Sequence, residues 1–339
     1  MAVPMQHALA LERIRIDQAA RRLAGVVRRT PLASFPAGPA GDPRIELRLK
    51  LECLQETGSF KARGAWNNVA QLGEAERAAG VVATSSGNHG RALSWAARRA
   101  GVPATIFMPA DAYPNKVEAC RELGAEVVLC PTREAAEEAC AERVRAGAVL
   151  IHPFDAERTI EGAGTVGLEI ARDWPSVEAV AVPAGGGGLI SGIALALERE
   201  LGAGTPLFGV EPAGAPTLGR ALEAGEPVFL PSITTSVQGL CPLAFGHLNT
   251  AICRTRVRRA FALEDAAILA AQRRLVHEGG WVVEPAGAAA AALFIAPAPG
   301  GLPPEIEELL EGRGPADPLR VAVVVSGGNP DPAQLEALR

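Results

Sequence analysis

The chain has 339 residues, enough for one large or two ordinary domains with ample core. It is 48% apolar with a formal net charge of -5, a soluble, globular balance that lacks the basic excess of a nucleic-acid-binding protein. No apolar run reaches the length of a membrane span, because charges or prolines interrupt every candidate.

In chain order, the opening stretch MAVPMQHALALERIRIDQAARRLAG reads as an amphipathic helix without the layout of a secretory signal, so the cytoplasm is the expected compartment. IELRLKLE (45–52) reads as a strand, and SFKARGAWNNVAQL (59–72) as a helix with Ser59 as its N-cap. GVVATSS (80–86) is a strand running into a loop, and GRALSWAARRAG (90–101) is a helix ending at glycine. ATIFMP, AEVVLCP and AVLIHPFD read as further strands separated by helices. VEAVAVPAGGGGLISGIALALEREL (177–201) repeats the order strand, glycine loop, helix, and PLFGVEP and LRVAVVVSGGN supply later strands. APAPGGLPPE (296–305) reads as a surface loop. The six cysteines form no CxxC pair and no Cys/His ligand spacing, so free, partly buried thiols are expected.

Continuous apolar strands alternating with helices predict an α/β fold, with parallel sheets covered on both faces. In such sheets ligands sit outside the carboxyl ends of the strands. SSGNHG, AGGGGL, VEPAG and SGGN all fall at such ends, and their repetition predicts one shared pocket.

Among 33 basic side chains only Lys50, Lys61 and Lys116 are lysines. Lys61, in ETGSFKARGA, stands where arginine would not serve, since a lysine can lose its proton and act as a nucleophile while arginine cannot. In AGGGGLISG the backbone N–H groups of Gly185, Gly186, Gly187 and Gly188 can converge on an anion at a helix N-terminus. The glycine spacing is neither a dinucleotide fingerprint nor a P-loop. A flexible turn would need only one or two glycines, so a phosphate cradle is the better reading. Ser85, Ser86 and Asn88 suit either a carboxylate ligand or helix capping, and on these residues alone both stay open. His89 by itself reads as a surface or capping histidine with no catalytic role for its ring. No G-x-S-x-G, HExxH or S-x-x-K is present, so hydrolase and metalloprotease readings lack support.

In this order and at these separations, GSFKARGA, SSGNHG, GGGGLISG, GVEP, EPAGAAA and SGGN resemble the fold type II pyridoxal-phosphate enzymes of the serine/threonine dehydratase and serine racemase family. RRTPL, LKLECLQETGSFK and HPFDAERTIEGAGTVGLEI also look like that group, so the resemblance runs from about Val26 to Asn329. It implies a two-domain fold similar to the tryptophan synthase beta chain. Residues 1–66 and 152–339 would form a large cofactor-binding domain, and 67–151 a small mobile one. It implies that Lys61 holds pyridoxal 5'-phosphate covalently, with Phe60 beside the ring and Gly185–Gly188 on the phosphate. Asn88 would bond the ring 3-hydroxyl, Ser326 would face the pyridine nitrogen, and Ser85, Ser86, Asn88 and His89 would receive the substrate carboxylate. A serine cannot protonate the pyridine nitrogen as an aspartate would, which favours β-elimination over transamination. Lys61, in the first turn of its helix, should have a pKa lowered by the helix dipole.

The expected activity is a dehydratase (ammonia-lyase) that removes the β-hydroxyl of L-threonine, L-serine or 3-hydroxyaspartate, giving a 2-oxo acid and ammonia. The alternative is a serine or other amino-acid racemase, because Ser86 is the residue of the racemase-like branch, where threonine-type dehydratases often carry alanine. Lys61 and the glycine loop argue against a cofactor-binding protein without turnover. That branch also binds a divalent metal after GVEP, through a glutamate, a carbonyl and an aspartate. Here Glu211 and the Ala215 carbonyl could serve, but Thr217 replaces the aspartate, so no metal is expected. Gln238-Gly239 replaces a common Asp-Gly. Arg133 could join domain closure, the family suggests a homodimer, and no C-terminal regulatory domain is expected.

Overall fold

The computed structural model describes residues 13–38, 41–297, 301–336 and 338. Part of the opening amphipathic stretch (1–12) and part of the Pro/Gly loop (298–300) lie outside the described residues. Two sheets organise the rest. The larger comprises β1 (Leu32–Ser34), β2 (Ile45–Leu51), β7 (Ala179–Pro183), β8 (Leu207–Pro212), β9 (Arg259–Leu263) and β10 (Leu319–Val325), in the order β1-β2-β10-β7-β8-β9. Every pairing in it is parallel except β1 with β2. The smaller has β3 (Val81–Thr84), β4 (Ala104–Pro109), β5 (Glu126–Cys130) and β6 (Val149–Leu150), all parallel, in the order β5-β4-β3-β6. The α/β reading therefore holds.

The apolar runs are continuous because both faces of the large sheet are covered. Ala179, Ala181, Val321, Val323 and Val325 join the core beneath the helix Pro285–Ile295. Val180, Val182, Ala322 and Val324 point the opposite way, toward the helices Glu157–Asp173 and Gly188–Leu201. Successive residues of one strand thus feed two cores.

The helix Lys61–Val69 lies against Glu157–Asp173 at backbone distance: a Cβ on Gly162 would stand 2.6 Å from the Arg63 carbonyl oxygen. This contact fixes the lysine-bearing turn relative to the large sheet.

Ser59 is not the N-cap of that helix. Phe60 holds the position in helical geometry without a side-chain cap, while Ser59 pairs with Gly327 at the end of β10. The chain enters the helix from a bridge to another strand, which one segment's sequence cannot reveal. AVLIHPFD yields only the two-residue β6, because His152 turns back to accept from the Phe154 and Asp155 N–H groups. The cysteines are free, all buried except the half-buried Cys241.

Candidate active site

A cavity of about 280 Å³ opens at the carboxyl ends of β3, β7 and β10, lined by residues from the ends of strands in both sheets. Phe60, Lys61, Ser85, Ser86, Asn88, His89, Gly185–Gly188 and Ser326 all line it.

Lys61 is the first residue of its helix, and its Nζ donates to the Pro153 carbonyl at 2.6 Å, 5.0 Å from the centre of the Phe60 ring. Burial lowers its pKa from 10.5 to about 8. The cause is loss of water around the ammonium.

The glycine loop is shaped by its neighbours. A Cβ on Gly186 would lie 2.3 Å from the Phe154 ring, and one on Gly187 would lie 2.3 Å from Phe245. Gly187 also has φ +101°, a left-handed conformation that side chains other than glycine rarely adopt. Asn249 Nδ2 (2.9 Å) and the Gly246 N–H (3.1 Å) hold the Gly186 carbonyl, and Asp155 accepts from the His247, Leu248 and Asn249 N–H groups. The helix starts at Gly188, so its first N–H groups have no acceptor within the helix, and Gly188 and Leu189 line the cavity.

The second loop carries both readings left open by the sequence. Ser85 Oγ accepts from the Gly87 and Gly90 N–H groups at 3.3 and 3.1 Å, a capping role. Ser86 is exposed on the cavity wall. Asn88 starts the helix Asn88–Ala100, but its side chain reaches away to Glu284 and Asn329. His89 is neither a surface nor a capping residue: it is 4% exposed, and its Nε2 meets the Ile151 carbonyl at 2.8 Å. Burial lowers its pKa to about 3, so the ring stays neutral and ties β6 to the loop. Ser326 is buried, its Oγ 3.4 Å from the Ala286 carbonyl, while its own carbonyl accepts the Phe60 N–H.

Several residues here drew no role from the sequence: Glu284, Asn329, Asn249, Lys116 and the Pro153 carbonyl. Glu284 and Asn329 sit in the quoted motifs EPAGAAA and SGGN, which was the available signal. Burial raises the pKa of Glu284, partly opposed by Lys116 and the Asn88 amide.

Glu211 lies at the end of β8, where its two oxygens accept the Leu218 and Gly219 N–H groups at 2.8 Å each. Burial raises its pKa to about 7. It caps the helix Thr217–Ala224, and Thr217 Oγ1 donates to the Gly185 carbonyl. Arg133 begins the helix Arg133–Arg145 at the cavity mouth.

These features fit a group carrying an aldehyde and a phosphate: a half-buried amine of lowered pKa and a loop of four glycines at a helix start line the same cavity. The family described as pyridoxal-phosphate dependent enzyme matches residues 23–308. An L-threonine ammonia-lyase of Thermotoga maritima is 38% identical over 93% of this chain and 75% of its own. An L-threo-3-hydroxyaspartate ammonia-lyase of a Pseudomonas species is 35% identical over 93% of this chain and 94% of its own. The solved structure of maize serine racemase superposes with a TM-score of 0.84 at 34% identity, covering 95% of this chain and 94% of that one.

Proposed function

The chain belongs to the pyridoxal-phosphate-dependent enzymes, and from that premise we propose that it is a lyase eliminating the β-hydroxyl of a hydroxy amino acid. The observation carrying this reading is Lys61, a half-buried amine of lowered pKa that lines the same cavity as the glycine loop. Bound pyridoxal phosphate supplies an electron-withdrawing ring that takes up the electron pair left when the Cα–H bond breaks. Gly185–Gly188 would hold its phosphate, Asn88 would donate to its 3-oxygen, and Ser326 would meet its ring nitrogen without a charge. The N–H groups opening the helix Asn88–Ala100, with Ser86 beside them, take the substrate carboxylate. Lys61, neutral when released, removes the Cα proton. The β-hydroxyl departs as water with a proton that balances the one Lys61 took from Cα, and the enamine set free takes up water to give a 2-oxo acid and ammonia.

The enzyme loaded with cofactor should form 2-oxo acid from at least one of L-serine, L-threonine and 3-hydroxyaspartate. No product from any of them would end this reading. Small-domain closure by residues 67–151 over residues 1–66 and 152–339, a homodimer and a cytoplasmic location belong to the same proposal. Among the described residues no helix is long and apolar enough to cross a membrane.

A pH dependence follows from Lys61. The amine attacks the cofactor aldehyde only when neutral, so reloading of the cofactor-free chain should quicken about tenfold per pH unit below the pKa. It should level off above about 8. Stopped-flow absorbance measures it, and a rate still climbing through pH 10, as for an unburied lysine, would contradict the placement of Lys61.

Racemisation is the second reading, favoured by the exposed hydroxyl of Ser86 on the cavity wall. If Ser86 returns a proton to the opposite face of Cα, Ser86→Ala should lower racemisation by about 10²-fold or more while elimination survives. Chiral chromatography alongside 2-oxo acid release separates the two, and equal losses in both would assign Ser86 to the carboxylate alone.

A further inference from the structure

Along the cavity wall a chain of side-chain amides has only one possible direction. Arg91 Nη1 donates to Asn329 Oδ1 at 2.6 Å. A guanidinium has no acceptor, so the atom it meets must be the amide oxygen. Asn329 Nδ2 lies 2.9 Å from the Thr57 carbonyl, which has no donor, so that atom must be the nitrogen. Both ends of Asn329 are therefore keyed independently, and Lys116 anchors its backbone by donating to its carbonyl. The same Nδ2 donates to Asn88 Oδ1 at 2.8 Å. Asn88 must then turn its own Nδ2 outward, and one of those hydrogens goes to Glu284 Oε1 at 2.5 Å. An amide nitrogen has two hydrogens. The second is what Asn88 offers the cavity it lines.

We propose that Asn329 is a positioning residue that sets the direction of the Asn88 amide, so that Asn88 presents an N–H, never its carbonyl oxygen, to the cavity. The proposal rests on the placement of Asn88 at the cofactor's 3-oxygen. There a donor favours the ionised oxygen and an acceptor favours the hydroxyl. The surroundings are built for this contact. A Cβ on Gly327 would stand 2.1 Å from Glu284 Oε1, and one on Gly58 would stand 2.5 Å from Asn329 Oδ1, so glycine at both positions leaves room for these side chains. The titratable and charged groups facing the chain of amides are Glu284, Arg91 and Lys116, with Cys53 behind Glu284 and Asp331 beside Lys116.

The test follows the absorption of the bound cofactor against pH in the full chain. Asn329→Asp keeps the shape but removes the donor, so Asn88 must swing its nitrogen toward the introduced carboxylate and its oxygen toward the cavity. The midpoint should rise by about one pH unit. Asn329→Ala, which adds no charge, should move it the same way by less. In an Asn88→Ala background neither substitution should move it further, since Asn329 acts only through that amide. Equal shifts with and without Asn88 would mean the new charge acts through space, and no shift in the native background would mean Asn329 is idle; either result overturns the proposal. Unchanged absorption in Asn88→Ala, with cofactor still fixed on Lys61, would instead displace Asn88 from the 3-oxygen and take this proposal with it.

Discussion

Replacing Lys61 with alanine is expected to remove covalent cofactor attachment and to lower turnover by on the order of 10⁴-fold, the upper range for losing one general base. Borohydride reduction of the native chain followed by peptide mapping should place the cofactor on residue 61, and the variant should carry no fixed label. Both losses share one cause. The side chain brings a proton acceptor to a water-poor wall, where burial has lowered its pKa to about 8. Lys61→Arg should fail as completely, because a guanidinium stays protonated and cannot attack an aldehyde. The fold should tolerate Lys61→Ala, since the residue opens its helix and gives up a single bond to Pro153. A label found on another residue, or full activity without Lys61, would remove the basis of the proposed chemistry.

The parts of this site legible in the sequence are those written in consecutive residues. Strand β7 and the Val321–Val325 stretch of β10 are unbroken apolar runs because both faces are covered, and a run of four glycines has few uses other than a cradle. What stayed hidden is carried by contacts between distant segments. Asn88 meets Glu284 across 196 positions and Asn329 across 241, and no local pattern encodes either contact. His89 and Ser59 were misplaced for a related reason. A histidine beside a helix start and a serine before an apolar stretch have common local uses, and both were redirected by tertiary partners, the Ile151 carbonyl and Gly327. The scarcity of lysine is explained only in three dimensions. Lys50 and Lys116 each direct a compact ammonium onto a backbone carbonyl, Thr30 for one and Asn329 for the other, where a planar guanidinium would present a different shape.

The same local reading passes over Arg63, whose replacement by leucine is expected to cost about 3–5 kcal/mol of stability. Its side chain is 1% exposed and lies two residues beyond Lys61 on the same helix. Nε and Nη2 bond the two oxygens of Glu52 at 2.8 and 2.7 Å, and Nη1 and Nη2 bond those of Glu169 at 2.6 and 2.9 Å. Lys50 completes the cluster through Glu169, and Thr30 donates to Glu52. Two cations and two anions cancel only while all four are present. Burial pushes the Glu52 carboxyl up, but attraction and hydrogen bonds from Arg63, with help from Lys50, outweigh it and hold the pKa below the ordinary 4.5. A depressed folded pKa stabilises above the unfolded value, and that contribution fades as pH falls through the folded one. Without Arg63 the burial cost acts almost alone and the folded pKa rises above the unfolded one. The penalty should then be largest at neutral pH, begin to shrink as pH falls through the raised folded pKa of the variant, and shrink further below about 4.5 as the native chain's Glu52 protonates too. Urea unfolding of the cofactor-free chain at pH 7 and pH 4 measures this difference. Arg63→Leu with Glu52→Leu should recover most of the loss, because an apolar pair removes the stranded charge. A double variant as unstable as the single one would show that the cost lies in packing, and that the ion cluster does not hold the lysine-bearing helix in place.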